Sequence, residues 1–199
     1  MTGREPARDR WNRRFAAGGF EPFPDDPAKW LADHDALLCP LSPGRALDVA
    51  CGNGRNALHL AGLGFEVDAL DVSDFAIERL RAAAASRGLA IDARLADLER
   101  ESPWQAASYD VVVDVDFLQR DLFPALQRAL RPGGVLVFET FAQVHLDELG
   151  RRMNPAYVLA TNELLYAFPS LVVSHYHEGV VHRGGAARGV AGLVARQPA

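Results

Sequence analysis

Cysteine is scarce in this chain. It has two cysteines in 199 residues, and Cys39 and Cys51 cannot build a disulfide framework or a cysteine-based metal site. Long apolar runs are missing too: none reaches the length of a membrane span, and the charged, proline-containing start has no signal-peptide apolar segment. The chain therefore reads as cytoplasmic, with no membrane partner. No lysine- or arginine-rich block stands out against a formal net charge of −5, which argues against nucleic acid or an anionic membrane as partner. Small molecules suit that charge better. What the chain does have is apolar substance, 49% of its residues, enough to bury one core; a single domain over residues 1–199 is expected.

The most informative stretch is Arg45-Ala-Leu-Asp-Val-Ala-Cys-Gly-Asn-Gly-Arg-Asn56, a short apolar strand that ends in a glycine turn and opens a helix near Arg55. Gly52 and Gly54 let a ligand approach the main chain at the amino end of that helix. Asp48 is costly to bury inside an apolar strand unless hydrogen-bonded, so it is expected to face partners at the strand's carboxyl end. A second apolar strand, Val67 to Leu70, runs into Asp71, placed to grip ribose hydroxyls. Gly52, Gly54 and Ala57 also satisfy the dinucleotide pattern of a nicotinamide enzyme. Asp48 would repel its pyrophosphate, whereas an amino group and a sulfonium charge would be attracted.

Asp48-Val-Ala-Cys-Gly-Asn-Gly54 resembles the first motif of class I S-adenosylmethionine-dependent methyltransferases, acid-x-Gly-x-Gly-x-Gly, with Ala50 in place of the first glycine and so less room for the cofactor's methionine part. The stretch Cys51 to Asn56 is similar to the tellurite-resistance methyltransferases and their uncharacterised bacterial relatives. Glu139-Thr-Phe141, Asn154-Pro155 and Glu163-Leu164 are closer to those relatives. The resemblance implies a Rossmann-like three-layer α/β/α sandwich, with a mostly parallel seven-stranded sheet whose last strand is antiparallel. It also implies a cofactor site made by Asp48, Ala50, Cys51, Gly52, Gly54, Arg55 and Asn56, by Asp71 and Val72, by Asp97 and Leu98 near adenine, and by Asp114 and Val115. The amino-terminal segment, residues 1–26, contains Trp11, Arg14 and Phe15 in a Trp-x-x-Arg-Phe arrangement, with Phe20 and Phe23 beyond. Trp11 and Arg14 are thereby expected to close over the cofactor.

In chain order, Asp26-Pro27 predicts a helix start, with Trp30, His34, Leu37 and Leu38 on one side. Gly62 and Gly64 end the helix that begins near Arg55. Ser73 caps the next, which Gly88 ends. Strands are expected at about Ala90 to Leu95 and at Tyr109 to Val115. A tight turn at Leu130 to Gly134 leads into a strand from Val135 to Phe141. Gln143 to Pro155, with His145, Arg151 and Arg152, reads as a cover over the substrate. Thr161 caps a short helix, and Leu171 to Val181 and Ala186 to Arg196 form an antiparallel pair joined through His182 to Gly185.

Asp114, Asp116, Gln119 and Arg120 follow or end the fourth strand, where a switch-point crevice belongs; Gln119 and Arg120 are the substrate candidates. A sulfonium is already a good leaving group, so a general base is optional. Asp116, Glu139 and His145 are the candidates if one is used. His175 and His177 share a strand face without a third ligand, so no metal is expected. The function read from the chain is methyl transfer from S-adenosylmethionine, leaving S-adenosylhomocysteine, to a small-molecule acceptor. The competing readings are a non-catalytic S-adenosylmethionine-binding or scaffold protein and a nicotinamide-dependent oxidoreductase. No Asn-Pro-Pro-Tyr-like motif follows the fourth strand, which argues against nucleic-acid bases as acceptors, and no cysteine cluster suits arsenite. The sequence assigns neither the acceptor nor an oligomeric state.

Overall fold

Strand and helix alternate from Arg45 to Leu95, because short apolar runs there alternate with helices that end at Gly62 and before Gly88. The computed structural model describes residues 5–17, 26–183 and 185–199, which fall into two compact units, Met1–Pro103 and Trp104–Ala199. Phe20, Phe23 and Gly184 lie outside the described residues.

In the first unit, α1 (Ala7–Ala16) and two short helices, α2 (Lys29–Ala32) and α3 (Asp35–Leu38), precede β1 (Arg45–Val49), α4 (Arg55–Gly62), β2 (Glu66–Asp71), α5 (Asp74–Arg87) and β3 (Ile91–Leu95). β1 and β2 are buried along their length beyond the first residue, the signature of parallel strands covered on both faces. Both ladders here are parallel, β1 with β2 and β2 with β3. As expected, α5 opens where the Ser73 hydroxyl accepts the Ala76 N–H and closes on Gly88 in the left-handed region.

The helix expected from Asp26-Pro27 is corrected to the separate α2 and α3. The Ala28 N–H is taken by the Asn56 side chain at 2.9 Å, which moves the helix start past Asp26. His34, buried as expected of a packing residue, donates its Nδ1 proton to the Trp30 carbonyl at 2.7 Å. That bond competes with helix continuation, and the chain turns between α2 and α3.

The second unit contains β4 (Tyr109–Val115), α6 (Phe123–Ala129), β5 (Leu130–Phe141), α7 (Val144–Asp147), α8 (Glu163–Ala167), β6 (Val172–Arg183) and β7 (Ala186–Arg196). β5 begins earlier than expected: Tyr109 pairs with Leu130 and Val111 with Val135, so the turn at Arg131 to Gly134 survives as an excursion inside the ladder. α8 is preceded by Asn162 in the left-handed region rather than capped by Thr161, because the Asn162 N–H is drawn to Glu178 at 2.9 Å. The rings of Phe123, Phe138 and Phe168 meet at 5.2–6.0 Å in this unit's core.

The sheet order is β3-β2-β1-β4-β5-β7-β6, with β7 antiparallel to both β5 and β6. This is the Rossmann-like mixed α/β sheet expected from the sequence. β1 is the strand at which the order reverses, and the carboxyl end of such a strand is where ligands bind. No helix among the described residues is long and apolar enough to cross a membrane.

Candidate functional site

The turn that follows β1 is held in an unusual backbone. Ala50 (φ +52), Gly52 (φ +54) and Gly54 (φ +83) are all left-handed. A β-carbon at Gly54 would stand 2.2 Å from the Leu80 side chain, so glycine there is a packing requirement as much as a conformational one. Ala50 keeps its β-carbon in this region at a cost of about 1–2 kcal/mol. Besides the room its methyl group takes, Ala50 carries backbone strain of the kind that persists at functional turns.

Asp71, at the end of β2, fastens the turn. One carboxylate oxygen accepts the Gly52 N–H at 2.9 Å and the other the Ser73 N–H at 2.8 Å, joining the glycine turn to the cap of α5. Asp48 is 1% exposed and accepts the Ala57 N–H. Its Oδ2 is buried with no hydrogen-bond partner among the described residues. A buried polar atom in that state costs about 1–3 kcal/mol, a cost that a ligand donor would remove. Asn53 Oδ1 is buried and unpartnered in the same way. Sequence reasoning passed over Asn53 as a candidate, although it lies between the two glycines.

The other candidates of this unit divide by what they touch. Asn56 is buried and spends its Oδ1 on Ala28, so it holds the chain entering α2. Val72 is half-buried beyond Asp71, Leu98 is buried, and half-buried Asp97 accepts the Glu99 N–H at 3.2 Å and pairs with Arg100 at 3.2 Å. Arg8 and Asn12 of α1 bond Asp74, and the Ser73 hydroxyl bonds Asn12 at 2.6 Å. α1 thus brings the Phe15 ring within 3.4 Å of where a β-carbon on Gly52 would stand. Trp11 lies 6.0 Å from Phe15, with the Arg14 guanidinium 5.2 Å from its ring. Phe15 belongs to the Trp-x-x-Arg-Phe arrangement noted in the sequence, whereas Asn12 was missed. A shallow cleft of about 390 Å³ runs beside them, lined by Asn12, Arg13, Ala16, Asp74, Phe75 and Glu78, without Asp48, Gly52 or Asp71.

In the second unit Asp114 and Val115 are buried. The chain leaves β4 through Asp116, left-handed at φ +63, whose N–H donates to the Glu139 carbonyl at 2.8 Å. The Glu139 carboxylate is bonded by both terminal nitrogens of Arg183, and that of Asp116 by Arg188. His145 Nδ1 accepts the Gly189 N–H at 3.0 Å, which leaves the ring's proton on Nε2. Burial, then Arg188 and Arg151, lowers its pKa, and the ring packs 4.7 Å from that of Phe141. Gln119 is half-buried. Arg120, expected to face substrate, instead donates to Glu163 at 2.5 and 2.8 Å and to the Val158 and Ala156 carbonyls at 2.8 and 3.2 Å. Its fork fastens the loop before α8. Arg183 and Arg188 were missed, because an arginine near a hairpin tip carries no sequence signal distinguishing it from a solvated charge.

Residues 46–134 match the family described as Methyltransferase domain. That match takes in β1, the glycine turn, α4 and β2 to β4. It is 31% identical over 131 residues to the ubiquinone biosynthesis O-methyltransferase of Nitrosococcus oceani, covering 62% of this chain and 54% of that protein. It is 30% identical over 116 residues to the protein of that name from an Azoarcus species, covering 56% and 48%. The chain thus spans about half the length of the curated relatives it matches. In fold it is similar to TehB from Haemophilus influenzae, with a TM-score of 0.73, 20% identity and coverage of 94% of this chain and 67% of TehB. It is also similar to a chain solved in work on conversion of a disulfide bond into a thioacetal group during echinomycin biosynthesis, with a TM-score of 0.74, 23% identity and coverage of 97% and 93%.

The acids of the turn differ electrostatically. Burial pushes the Asp48 carboxyl up to about 7, Asp71 adds to the rise, and the Ala57 N–H and the Arg55 charge oppose it. Asp71 is raised by burial as well, against three backbone donors, Ser73, Gly52 and Val72. Burial and these two carboxylates push the Cys51 thiol well up, which makes it a packing group rather than a nucleophile. Asp48 is therefore the acid that a cationic ligand would most strongly ionise.

Proposed function

We propose that the chain transfers a methyl group from S-adenosylmethionine to a small-molecule acceptor, releases S-adenosylhomocysteine and acts in the cytoplasm. The observation that carries this reading is the turn after β1: a buried Asp48 with an oxygen lacking a partner, beside an Asp71 fastened to the glycine backbone. This pair suits an amino group and ribose hydroxyls, and it disfavours the pyrophosphate of a nicotinamide cofactor. When bound, S-adenosylmethionine supplies a methyl group on a sulfonium whose leaving group is a neutral thioether.

The residues then have separable tasks. Asp48 accepts from the amino group, and Asp71 accepts a ribose hydroxyl on the lone pair that its three backbone donors leave over. Asp97 and Leu98 face the adenine. Phe15, carried by α1 with Trp11 and Arg14, covers the glycine turn and keeps water from it. Asp116, Glu139 and His145 remain the candidates if the acceptor needs a general base, although alignment rather than proton removal supplies the rate. The likeness to O-methyltransferases favours an oxygen nucleophile, and the net charge of −5 favours a small acceptor over nucleic acid.

Isothermal titration with S-adenosylmethionine and S-adenosylhomocysteine, against NADH and NADPH, tests the reading. Binding of the first pair alone is expected. Asp71→Ala should weaken both ligands at least about tenfold, the loss of one good charged hydrogen bond; unchanged affinity would remove Asp71 from the site. Binding of the cofactor pair with no turnover on any acceptor would favour the non-catalytic reading.

A further inference from the structure

We propose that Asn12 is a positioning residue for the cofactor: its amide bridges Ser73 and Asp74 at the opening of α5, and through Ser73 it aims the lone pair with which Asp71 takes a ribose hydroxyl. The inference rests on the methyltransferase reading above and places a control on the ribose outside the glycine turn. Every residue concerned belongs to the first unit.

Asp71 has little room for error. A carboxylate offers about four lone-pair sites, and three are claimed by the N–H groups of Ser73, Gly52 and Val72. The site left over points wherever those donors hold the carboxylate plane. Asp71 is 7% exposed, so water does little to offset a misdirected one.

Of the three donors, Ser73 is the one whose geometry is set by its side chain. Its hydroxyl accepts the Ala76 N–H at 3.2 Å and gives its single proton to Asn12 Oδ1 at 2.6 Å. Fixing that proton turns a lone pair toward Ala76 and holds the cap. The capped residue then delivers its own N–H to Asp71 at 2.8 Å. Asn12, Ser73 and Asp71 thus form a chain of hydrogen bonds that starts on α1 and ends at the acid.

Asparagine suits position 12 because both ends of its amide are used. Oδ1 accepts from the Ser73 hydroxyl while Nδ2 donates to the Asp74 carboxylate. Alanine has neither end, and aspartate would set one carboxylate against another. Arg8, one helical turn before Asn12 on the same face of α1, bonds Asp74 as well. That pair is 53% and 34% exposed and contributes little to stability. α1 buries none of its residues, and Asn12 and Asp74 line the cleft of about 390 Å³ beside it. Truncating Asn12 would let water from that cleft reach the Ser73 hydroxyl. The bridge therefore supplies direction at Asp71 rather than stability to the fold.

The test titrates S-adenosylhomocysteine and its 2′,3′-dideoxy analogue into the full chain and its variants. Asn12→Ala should weaken S-adenosylhomocysteine about fivefold, the worth of one ordinary hydrogen bond, and leave the dideoxy analogue unchanged, because that ligand has no hydroxyl for Asp71. In an Asp71→Ala background Asn12→Ala should add nothing. Asn12→Asp should weaken S-adenosylhomocysteine more than Asn12→Ala does. Combining Asn12→Asp with Asp74→Asn, which exchanges amide and carboxylate but keeps both bonds, should recover most of the loss. The ligand-free unfolding midpoint of Asn12→Ala should stay within about 2 °C of wild type; a larger fall would give Asn12 a role in the fold itself and overturn the proposal. An equal loss for the two ligands, or an undiminished loss in the Asp71→Ala background, would show that Asn12 only holds α1 over the site and would overturn it too. If the dideoxy analogue binds too weakly to measure, the Asp71→Ala background decides. Failure of the wild-type protein to bind S-adenosylhomocysteine would sink the methyltransferase reading; binding that Asn12→Ala leaves unchanged would sink this inference alone.

Discussion

Replacing Arg183 by alanine is expected to destabilise the protein by about 3–5 kcal/mol, the usual cost of leaving a buried charge without its partner. Glu139 is 1% exposed and faces Gly192 across the ladder, a neighbour with no side chain to offer. Removing the guanidinium takes two charge-assisted bonds from a carboxylate that water scarcely reaches. Urea unfolding at neutral pH measures the loss. The double variant Arg183→Met with Glu139→Gln separates charge burial from packing: with no buried charge left it should recover most of the stability. An Arg183→Ala protein within about 1 kcal/mol of wild type, the value of an exposed pair, would show that the pair does not hold the hairpin down.

Asp48→Asn should move stability and cofactor binding in opposite directions. The carboxyl ionises at its ordinary 3.8 in the unfolded chain and at about 7 in the folded one. Between those values the folded state holds the extra proton, so stability falls as pH rises. The contribution is fully present below the unfolded value and lost once pH passes the folded one. A shift of about 3 units corresponds to about 4 kcal/mol. Thermal unfolding of the ligand-free protein should therefore show a decline between pH 4 and 7 that Asp48→Asn flattens, leaving the variant the more stable protein at pH 8. Its affinity for S-adenosylmethionine should fall at least about tenfold, because an amide offers the amino group no charge. Asp74 acts in another window: Arg8 and Asn12 hold its carboxyl down to about 2, so its contribution is present above 3.8 and lost only as pH falls toward 2. A ligand-free wild type whose stability is flat from pH 4 to 7 would rule out the protonated Asp48.

Where the chemistry sits next to itself in the chain, it was legible. Asp48, Gly52, Gly54 and Asp71 belong to one strand-turn-helix-strand run, and the antiparallel β6–β7 pair followed from a connection too short for any other geometry. Ala50 shows the limit even at short range, because a composition of small residues does not say which of them must turn left-handed. Beyond that, the misses have a common cause. Arg183 meets Glu139 across 44 positions and Arg188 meets Asp116 across 72; Asn12 meets Ser73 across 61. The partner of Arg120 is the same case, its fork turned to Glu163 across 43 positions. The order of strands and helices, the glycine turn and its acids were determined by the sequence alone, since periodicity and turn chemistry act within a few residues of one another. Which arginine met which carboxylate, and how deep each pair lay, was decided by the tertiary structure, because that depends on how far a hairpin curls and on which surfaces the fold removes from water.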